Sequence, residues 1–346
     1  MKDMLLIAGP CAAENEEQLW NTALQLDDQS NKNDYRLSYF RAGIWKPRSN
    51  PNEFTGAGIE ALPWLSEIQK KFGFKVCVEV AKPEHLDYCE QYDIKTVWVG
   101  SRTTVNPFIV EELAENSKGR GFSVMVKNPM IPDLKLWRGS IERFRKAGVE
   151  NIMAVHRGVP EQNENILRNT PLWEMPVELK VQLPEIPLIC DVSHIAGDKN
   201  YLGQISQIAL DFGFNGLMIE THYRPEIALS DARQQITPSE LTTLLQNLKV
   251  RDGIDSTDLL LLKQRNMIEH IDNQISLLLK KRMHIVDHIA QIKSDHNMPI
   301  VDPVQFNKVI ERYNRNTDDD DDYIEFITKY LELLHQSSIQ RQRRHE

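Results

Sequence analysis

Three residues with metal-binding side chains lie at or just beyond the ends of short apolar runs in the chain, and a fourth follows the last run by nine residues. They are Cys11, His194, Glu220 and Asp231. A thiolate, an imidazole and two carboxylates form a mixed sulfur, nitrogen and oxygen set that is typical of sites for divalent transition metals. Several metals suit such a set, so the residue types leave the identity of the metal open.

Five basic residues follow apolar runs in the same way. They are Arg41, Lys46, Arg102, Lys127 and Arg157. Arginine pairs bidentately with both phosphate and carboxylate groups, and lysine adds a compact positive charge. A single charge of this kind is easily explained as a solvated surface residue, but its repetition after successive runs is not. The set predicts a substrate that carries phosphate and carboxylate.

The segments that must position these residues are eight short apolar runs separated by helical patterns. The runs are residues 4–9, 37–43, 75–80, 95–100, 123–127, 151–157, 186–194 and 216–222. Because the runs are continuously apolar rather than alternating, they predict strands buried on both faces. Eight such repeats predict an α/β fold, a (β/α)8 TIM barrel over residues 1–250, with its chemistry at the carboxyl ends of the strands.

The pattern changes after residue 250. Residues 251–258 are predicted to form a linker, and residues 259–346 to form a small all-α domain. From 259 to about 292, apolar residues recur every three or four positions without an internal proline or glycine, which predicts a helix about 50 Å long. One small monomeric domain does not cover such a helix, so we expect a homodimer through this domain.

Three cations, Arg265, Arg282 and Lys293, lie 17 and 11 residues apart on the long helix. These spacings are close to whole helical turns, so the three side chains share one face. Cations along an apolar stripe predict an anionic ligand. The alternative is that they snorkel or form salt bridges beside a coiled-coil seam.

The composition excludes several classes of protein. The chain has 346 residues, with 41 Lys and Arg against 50 Asp and Glu, and its net charge of −9 argues against nucleic acid as a partner. No apolar run reaches the roughly 18 residues of a membrane span, and no secretory leader is recognisable. The 4 cysteines are too few for a disulfide framework. We expect a cytoplasmic enzyme that binds neither nucleic acid nor membrane.

Seven motifs in the barrel region resemble those of the 3-deoxy-D-arabino-heptulosonate 7-phosphate (DAHP) synthase family, of its short type Iβ. They are AGPC (8–11), FRAGIWKPRSNPNEFTGAG (40–58), VGSR (99–102), MVKN (125–128), HRG (156–158), DVSH (191–194) and IETHYRPEIALSDARQQ (219–235). The resemblance implies condensation of phosphoenolpyruvate with erythrose 4-phosphate. It also implies a divalent metal, manganese before others, on the four donors named above.

The resemblance assigns roles to the remaining barrel residues. Arg102, Lys127 and Arg157 would bind the phosphate of phosphoenolpyruvate, and Arg41 and Lys46 its carboxylate side, with Lys46 also catalytic. The aldose phosphate would contact Pro47, Arg48 and Ser49. Glu79 is the candidate for moving protons of the water that adds at C2, or else it only orients basic neighbours.

Two alternatives to this activity remain open. The related synthase of an eight-carbon sugar acid carries Lys-Ala-Asn-Arg-Ser where this chain has Lys46-Pro47-Arg48-Ser49, which favours the four-carbon aldose. A barrel that only binds sugar phosphates, without catalysis, is disfavoured by the four metal donors. Ser101 stands where the family commonly has alanine, and we expect no effect from it.

The helical tail resembles the all-helical chorismate mutases. The matching segments are LLKQRNMIEHIDNQISLLLKKR (261–282), IAQIK (289–293), PIVDP (299–303) and HQSSIQRQ (335–342). The resemblance implies rearrangement of chorismate to prephenate in a dimer. Arg265 of one subunit and Arg282 of the other would bind the two carboxylates. Lys293 and Gln342 would contact the ether oxygen, and Asp302 and Ser338 would complete the site.

One departure affects the mutase prediction. Gln305 and Phe306 stand where the family usually has Arg-Glu, whose glutamate binds the substrate hydroxyl. A degenerate domain that only dimerises or regulates is therefore the alternative. Because the chain begins directly at the first predicted strand, we expect feedback control to come from the tail, with chorismate or prephenate as the effector.

Overall fold

A computed structural model describes residues 4–33, 35–48, 50–160, 167–249, 256–300, 308 and 321–343. The chain divides into two compact units, Met1–Gln264 and Arg265–Glu346. Among the predicted site residues, Ser49 and Asp302 lie outside the described residues, as do Gln305 and Phe306.

The first unit contains eight parallel strands that close into a barrel, each strand pairing with the next and the last with the first. The strands are Leu5–Gly9 (β1), Tyr39–Ala42 (β2), Lys75–Val80 (β3), Thr96–Val99 (β4), Ser123–Lys127 (β5), Asn151–His156 (β6), Leu188–Asp191 (β7) and Gly216–Glu220 (β8). Every strand lies within one of the eight predicted apolar runs. The predicted (β/α)8 barrel is confirmed.

Helices of the described chain follow the strands along the sequence. They are Glu16–Lys32 (α1), Ala61–Phe72 (α2), Pro83–Gln91 (α3), Ser101–Thr104 (α4), Pro107–Ser117 (α5), Leu134–Lys146 (α6), Glu174–Gln182 (α7), Val192–Ala196 (α8), Leu202–Asp211 (α9), Pro238–Asn247 (α10), Ser256–Asp295 (α11) and Asp321–Gln342 (α12). Polar side chains fix several helix starts. Thr237 and Glu240, for example, form a reciprocal capping box at α10.

Two apolar layers explain why the strands are apolar on both faces. The outer layer packs the strands against the surrounding helices. The inner layer fills the barrel with Ile7, Cys77, Trp98, Met125, Met153, Val155, Ile189 and Met218. The barrel is therefore a packed core rather than a pore, and a pocket lined by polar side chains lies at the carboxyl ends of the strands.

The second unit contains most of the long helix α11 and the helix α12. The helix α11 spans 40 residues and begins at Ser256, three residues before the predicted start of the helical domain. Bidentate pairing of Arg341 with Asp287, at 2.6 and 2.8 Å, joins α12 to α11. Large apolar side chains of α11 are exposed in the single chain, namely Ile268, Ile271, Ile275, Leu278, Ile285, Ile289 and Ile292.

None of the described helices combines the length and the apolar character that crossing a bilayer needs.

Candidate active site

A single pocket at the carboxyl ends of the strands collects most of the predicted barrel residues. Those that line it are Arg41, Lys46, Pro47, Arg48, Glu79, Arg102, Lys127, Arg157, His194 and Asp231. Cys11 and Glu220 are fully buried and contact the pocket cations Lys46 and Arg41. The topology produces this convergence, because parallel strands of a barrel all end at the same rim.

Three of the four predicted metal donors form a cluster. One ligand atom from each of Cys11, Glu220 and Asp231 lies within 4.8 Å of the others. The Cys11 Sγ is 3.2 Å from Asp231 Oδ2. His194 stands just beside this cluster rather than within it, and its Nε2 is 3.7 Å from Glu220 Oε1.

The cluster fits a divalent cation. Glu220 Oε1 is buried, and although Arg41 Nη2 lies 3.1 Å away, the oxygen accepts no well-directed hydrogen bond from the residues that the structure describes. Leaving a buried carboxylate oxygen without such a bond costs free energy, and a metal ion is one way to satisfy it. The mixed thiol, imidazole and carboxylate donors suit a transition metal better than magnesium or calcium, which prefer oxygen alone.

A hydrogen bond to a buried carboxylate orients His194. Its Nδ1 is 3.0 Å from Asp191 Oδ1. Burial lowers the pKa of His194 to about 4, so the ring is neutral near pH 7 and Nε2 has a free lone pair. Burial alone would raise the pKa of Asp191, but His194 and Lys127 hold it well below its usual range. A carboxylate behind a histidine is the usual support of a metal-binding imidazole.

A basic side chain accompanies each acidic donor. The Lys46 Nζ is 2.6 Å from Cys11 Sγ. The Arg41 Nη2 is 3.1 Å from Glu220 Oε1. Burial raises the pKa of the Cys11 thiol to about 12, so the thiol is protonated unless a metal displaces the proton.

The remaining cations surround the upper part of the pocket. The Lys127 Nζ donates to Asp191 Oδ2 at 2.5 Å and lies 5.6 Å from the centroid of the Trp98 ring. The Arg157 Nη1 donates to Asn169 Oδ1 at 2.9 Å, and burial lowers its pKa to about 10, which leaves it charged near pH 7. Such a pocket favours an anion.

The buried Glu79 lies against the backbone of Gly100. A Cβ added at Gly100 would approach Glu79 Oε1 to 2.1 Å. Any larger residue at this position of the VGSR motif would displace the carboxylate. Glycine at this position therefore leaves room for the Glu79 carboxylate at the wall of the pocket.

Three residues of this region were not predicted from the sequence. Arg168 pairs with Asp231 at 3.0 Å and lines the pocket. Asn169 contacts Arg157, and Gln234 donates to Glu220 Oε2 at 2.6 Å. Gln234 belongs to a quoted motif, and its polarity beside Asp231 was a usable signal. Arg168 and Asn169 follow no strand, so the strand-end rule did not find them.

Part of the predicted mutase set comes together in the helical unit. The Arg282 Nη1 donates to Ser338 Oγ at 2.7 Å, linking α11 to α12. Gln342 is buried one turn further along α12, and its Oε1 accepts no hydrogen bond within the described residues. The Lys293 Nζ donates to the backbone oxygen of Ile300. Arg265 is exposed and lies 17 residues from Arg282 on the same helix, a separation of about 25 Å along its axis.

The barrel and its rim define the class of protein: a (β/α)8-barrel enzyme followed by a helical domain. The chain belongs to the DAHP synthetase I family, whose model matches residues 2–254. The model of chorismate mutase type II matches residues 264–343. The protein is thus a bifunctional enzyme of the shikimate pathway, with a DAHP synthase domain and a chorismate mutase domain.

Individual relatives agree with the family match. The phospho-2-dehydro-3-deoxyheptonate aldolase of Thermotoga maritima is 29% identical over 246 residues, which cover 70% of this chain and 68% of the relative. The 2-dehydro-3-deoxyphosphooctonate aldolase of Wolinella succinogenes is 26% identical over 273 residues, covering 71% and 98%. The crystal structure of the Thermotoga maritima DAHP synthase superposes with a TM-score of 0.61 at 26% identity, covering 70% of this chain and 67% of that one.

Proposed function

We propose that the barrel condenses phosphoenolpyruvate with erythrose 4-phosphate to give DAHP and phosphate, with a divalent metal, manganese before others, as cofactor. The observation that supports this proposal is that a set of metal donors and a set of buried cations meet at one pocket. The clustered donors Cys11, Glu220 and Asp231, with His194 beside them, adjoin a group of buried cations. When bound, the metal would supply Lewis acidity toward the aldehyde oxygen.

The residues around the metal site supply binding and orientation. Arg102, Lys127 and Arg157 bind the phosphate of phosphoenolpyruvate, while Arg41 and Lys46 bind its carboxylate side. Fixed cations offset the repulsion between the two phosphorylated substrates and hold C3 of the enol phosphate against the aldehyde carbon.

Protons must also move in the later part of the reaction. Water adds at C2 before phosphate leaves, and a nearby base assists that addition. Glu79 is buried at the pocket wall, which supports it as the group that accepts and returns the proton of this water.

The aldose is the point on which two related activities differ. Pro47 and Arg48 line the pocket and, together with Ser49, would contact the phosphate of erythrose 4-phosphate. We expect kcat/KM for erythrose 4-phosphate to exceed that for arabinose 5-phosphate by about 100-fold or more, since a site fitted to one hydroxyl pattern rejects another. Both aldoses should be assayed at the same saturating phosphoenolpyruvate. Equal values, or a preference for the five-carbon aldose, would contradict the proposed substrate.

The helical domain is proposed to convert chorismate to prephenate in a homodimer. Arg282 binds one carboxylate, with Lys293 and Gln342 at the ether oxygen and Ser338 and Asp302 completing the site. Because Arg265 is about 25 Å from Arg282 along the helix, it must act in a site of the second subunit. The exposed apolar residues of α11 support such a pairing. The presence of Gln305 and Phe306 favours the second candidate, a helical domain that only dimerises and regulates.

The same domain is proposed to regulate the barrel. Prephenate or chorismate bound to it would lower the synthase rate by favouring a less active arrangement of the enzyme. Deletion of residues 256–346 should leave an active synthase that prephenate no longer inhibits. Synthase rates of the full and shortened chains, measured with and without prephenate, check this. Inhibition that persists in the shortened chain would refute regulation by the tail. We further propose that the enzyme is cytoplasmic and binds neither nucleic acid nor membrane.

A further inference from the structure

Residues 167–170, here called the strap, lie along the short helix α8 that carries His194. The backbone N–H of Arg168 donates to Ala196 O at 3.3 Å, and that of Asn169 donates to Ile195 O at 3.2 Å. The Asn169 Nδ2 also donates to His194 O at 2.5 Å. These hydrogen bonds therefore hold the strap against helix α8, which carries the His194 imidazole.

A glycine allows this close approach. Gly197 has a positive φ of 71°, and a Cβ added there would lie 2.4 Å from the Cβ of Arg168. Both the backbone conformation and the space beside the strap thus require glycine. The local structure of α8 is fitted to the strap, and the strap in turn fixes where the Arg168 side chain begins.

From this position, the Arg168 guanidinium contacts one acidic metal donor directly and is linked to a second through Gln234. Its Nη1 is 3.0 Å from Asp231 Oδ1 and donates to Gln234 Oε1 at 2.7 Å. The Gln234 Nε2 donates to Glu220 Oε2 at 2.6 Å. One side chain therefore holds the first carboxylate directly and the second through an amide.

The two carboxylates need such support. Glu220 and Asp231 point into one small cluster, where their charges repel each other. Asp231 also has a φ of 49°, in the left-handed region that aspartate adopts at a cost. Arg41, Lys46 and Arg48 also lie within 4.0 Å of metal donors, but all three are assigned to substrate. Arg168 has no assigned role in substrate binding. Its contacts instead connect it to the carboxylates of Asp231 and, through Gln234, Glu220.

We propose that Arg168 is a positioning residue for metal binding, which orients Asp231 and, through Gln234, Glu220. This inference rests on the metal site proposed above. Replacement of a side chain that holds a metal ligand in place typically weakens metal binding by 10- to 100-fold. Arg168 therefore acts before any substrate binds, and its effect is measurable without turnover.

The test is the Mn²⁺ affinity of the metal-stripped full chain, measured by isothermal titration calorimetry. We expect Arg168→Gln to raise the Kd for Mn²⁺ by about 10-fold or more, and Arg168→Lys, which keeps the charge, to raise it less. The matched control is Arg233→Gln. Arg233 is 84% exposed and pairs with Asp198 rather than with Glu220 or Asp231. Its replacement should leave the Kd unchanged.

A second variant covers the case in which Arg168→Gln fails to fold. Gln234→Ala keeps the Arg168–Asp231 pair but removes the support of Glu220, and it should also weaken Mn²⁺ binding. An unchanged or lower Kd in folded Arg168→Gln would overturn the inference, since it would mean that Arg168 is indifferent to the metal or competes with it. Absence of Mn²⁺ binding to the unmodified chain would instead overturn the metal site itself.

Discussion

Lys127→Ala should lower kcat/KM for phosphoenolpyruvate by about three orders of magnitude. A loss of this size corresponds to about 4 kcal/mol, which is typical for removing a buried charge that stabilises the reacting group. The Lys127 ammonium is buried between Asp191 and the face of Trp98, with a fixed direction toward the pocket. Steady-state phosphate release at increasing phosphoenolpyruvate measures the effect.

Two controls separate this effect from a loss of folding. Removal of Lys127 leaves Asp191 buried with one fewer cation, so stability must be checked. Thermal unfolding of the same variant, followed by circular dichroism, reports whether the barrel is intact. Lys135→Ala, an exposed lysine at the start of α6, should behave as the unmodified enzyme. An unchanged phosphoenolpyruvate dependence in folded Lys127→Ala would refute the role assigned to this residue.

Arg282→Ala should lower the rate of prephenate formation by about three orders of magnitude. The rearrangement is unimolecular, so its rate depends on how the enzyme folds the substrate and stabilises developing negative charge. The hydrogen bond to Ser338 holds the Arg282 guanidinium between α11 and α12. A guanidinium held in this way is already oriented to bind a substrate carboxylate. Loss of chorismate absorbance gives the rate.

The outcome of this experiment distinguishes the two candidates for the helical domain. Lys280→Ala, an exposed residue two positions earlier, is the matched control and should keep full mutase activity. Synthase activity should be unaffected in both variants. If the unmodified chain does not turn over saturating chorismate, the domain is regulatory and Arg282 has no catalytic role.

Strand positions and the rim were predictable because both follow from local pattern and one topological rule. A continuous apolar run such as residues 75–80 can be buried on both faces only in a covered parallel sheet. The carboxyl ends of such strands then share one rim. This rule alone brought Cys11 and Glu220 into one region, although they are 209 positions apart in the sequence.

The supporting contacts of the site were not predictable in the same way. Arg168 lies beyond β6, in a segment without apolar periodicity, and no spacing rule relates it to Asp231. Its position depends on the space left by Gly197 and on hydrogen bonds to the backbone of α8. The offset of His194 from the cluster likewise depends on its bond to Asp191, a tertiary contact. Contacts of this kind follow only from the assembled fold.

Phosphate release from phosphoenolpyruvate by the full chain, before and after removal of metal, tests the proposed synthase reaction. We expect release only when erythrose 4-phosphate is present, a fall to background after treatment with EDTA, and recovery on addition of Mn²⁺. Metal analysis of the treated protein should accompany the assay. Undiminished release by protein proven free of metal, or equal release without the aldose, would refute the metal-dependent condensation.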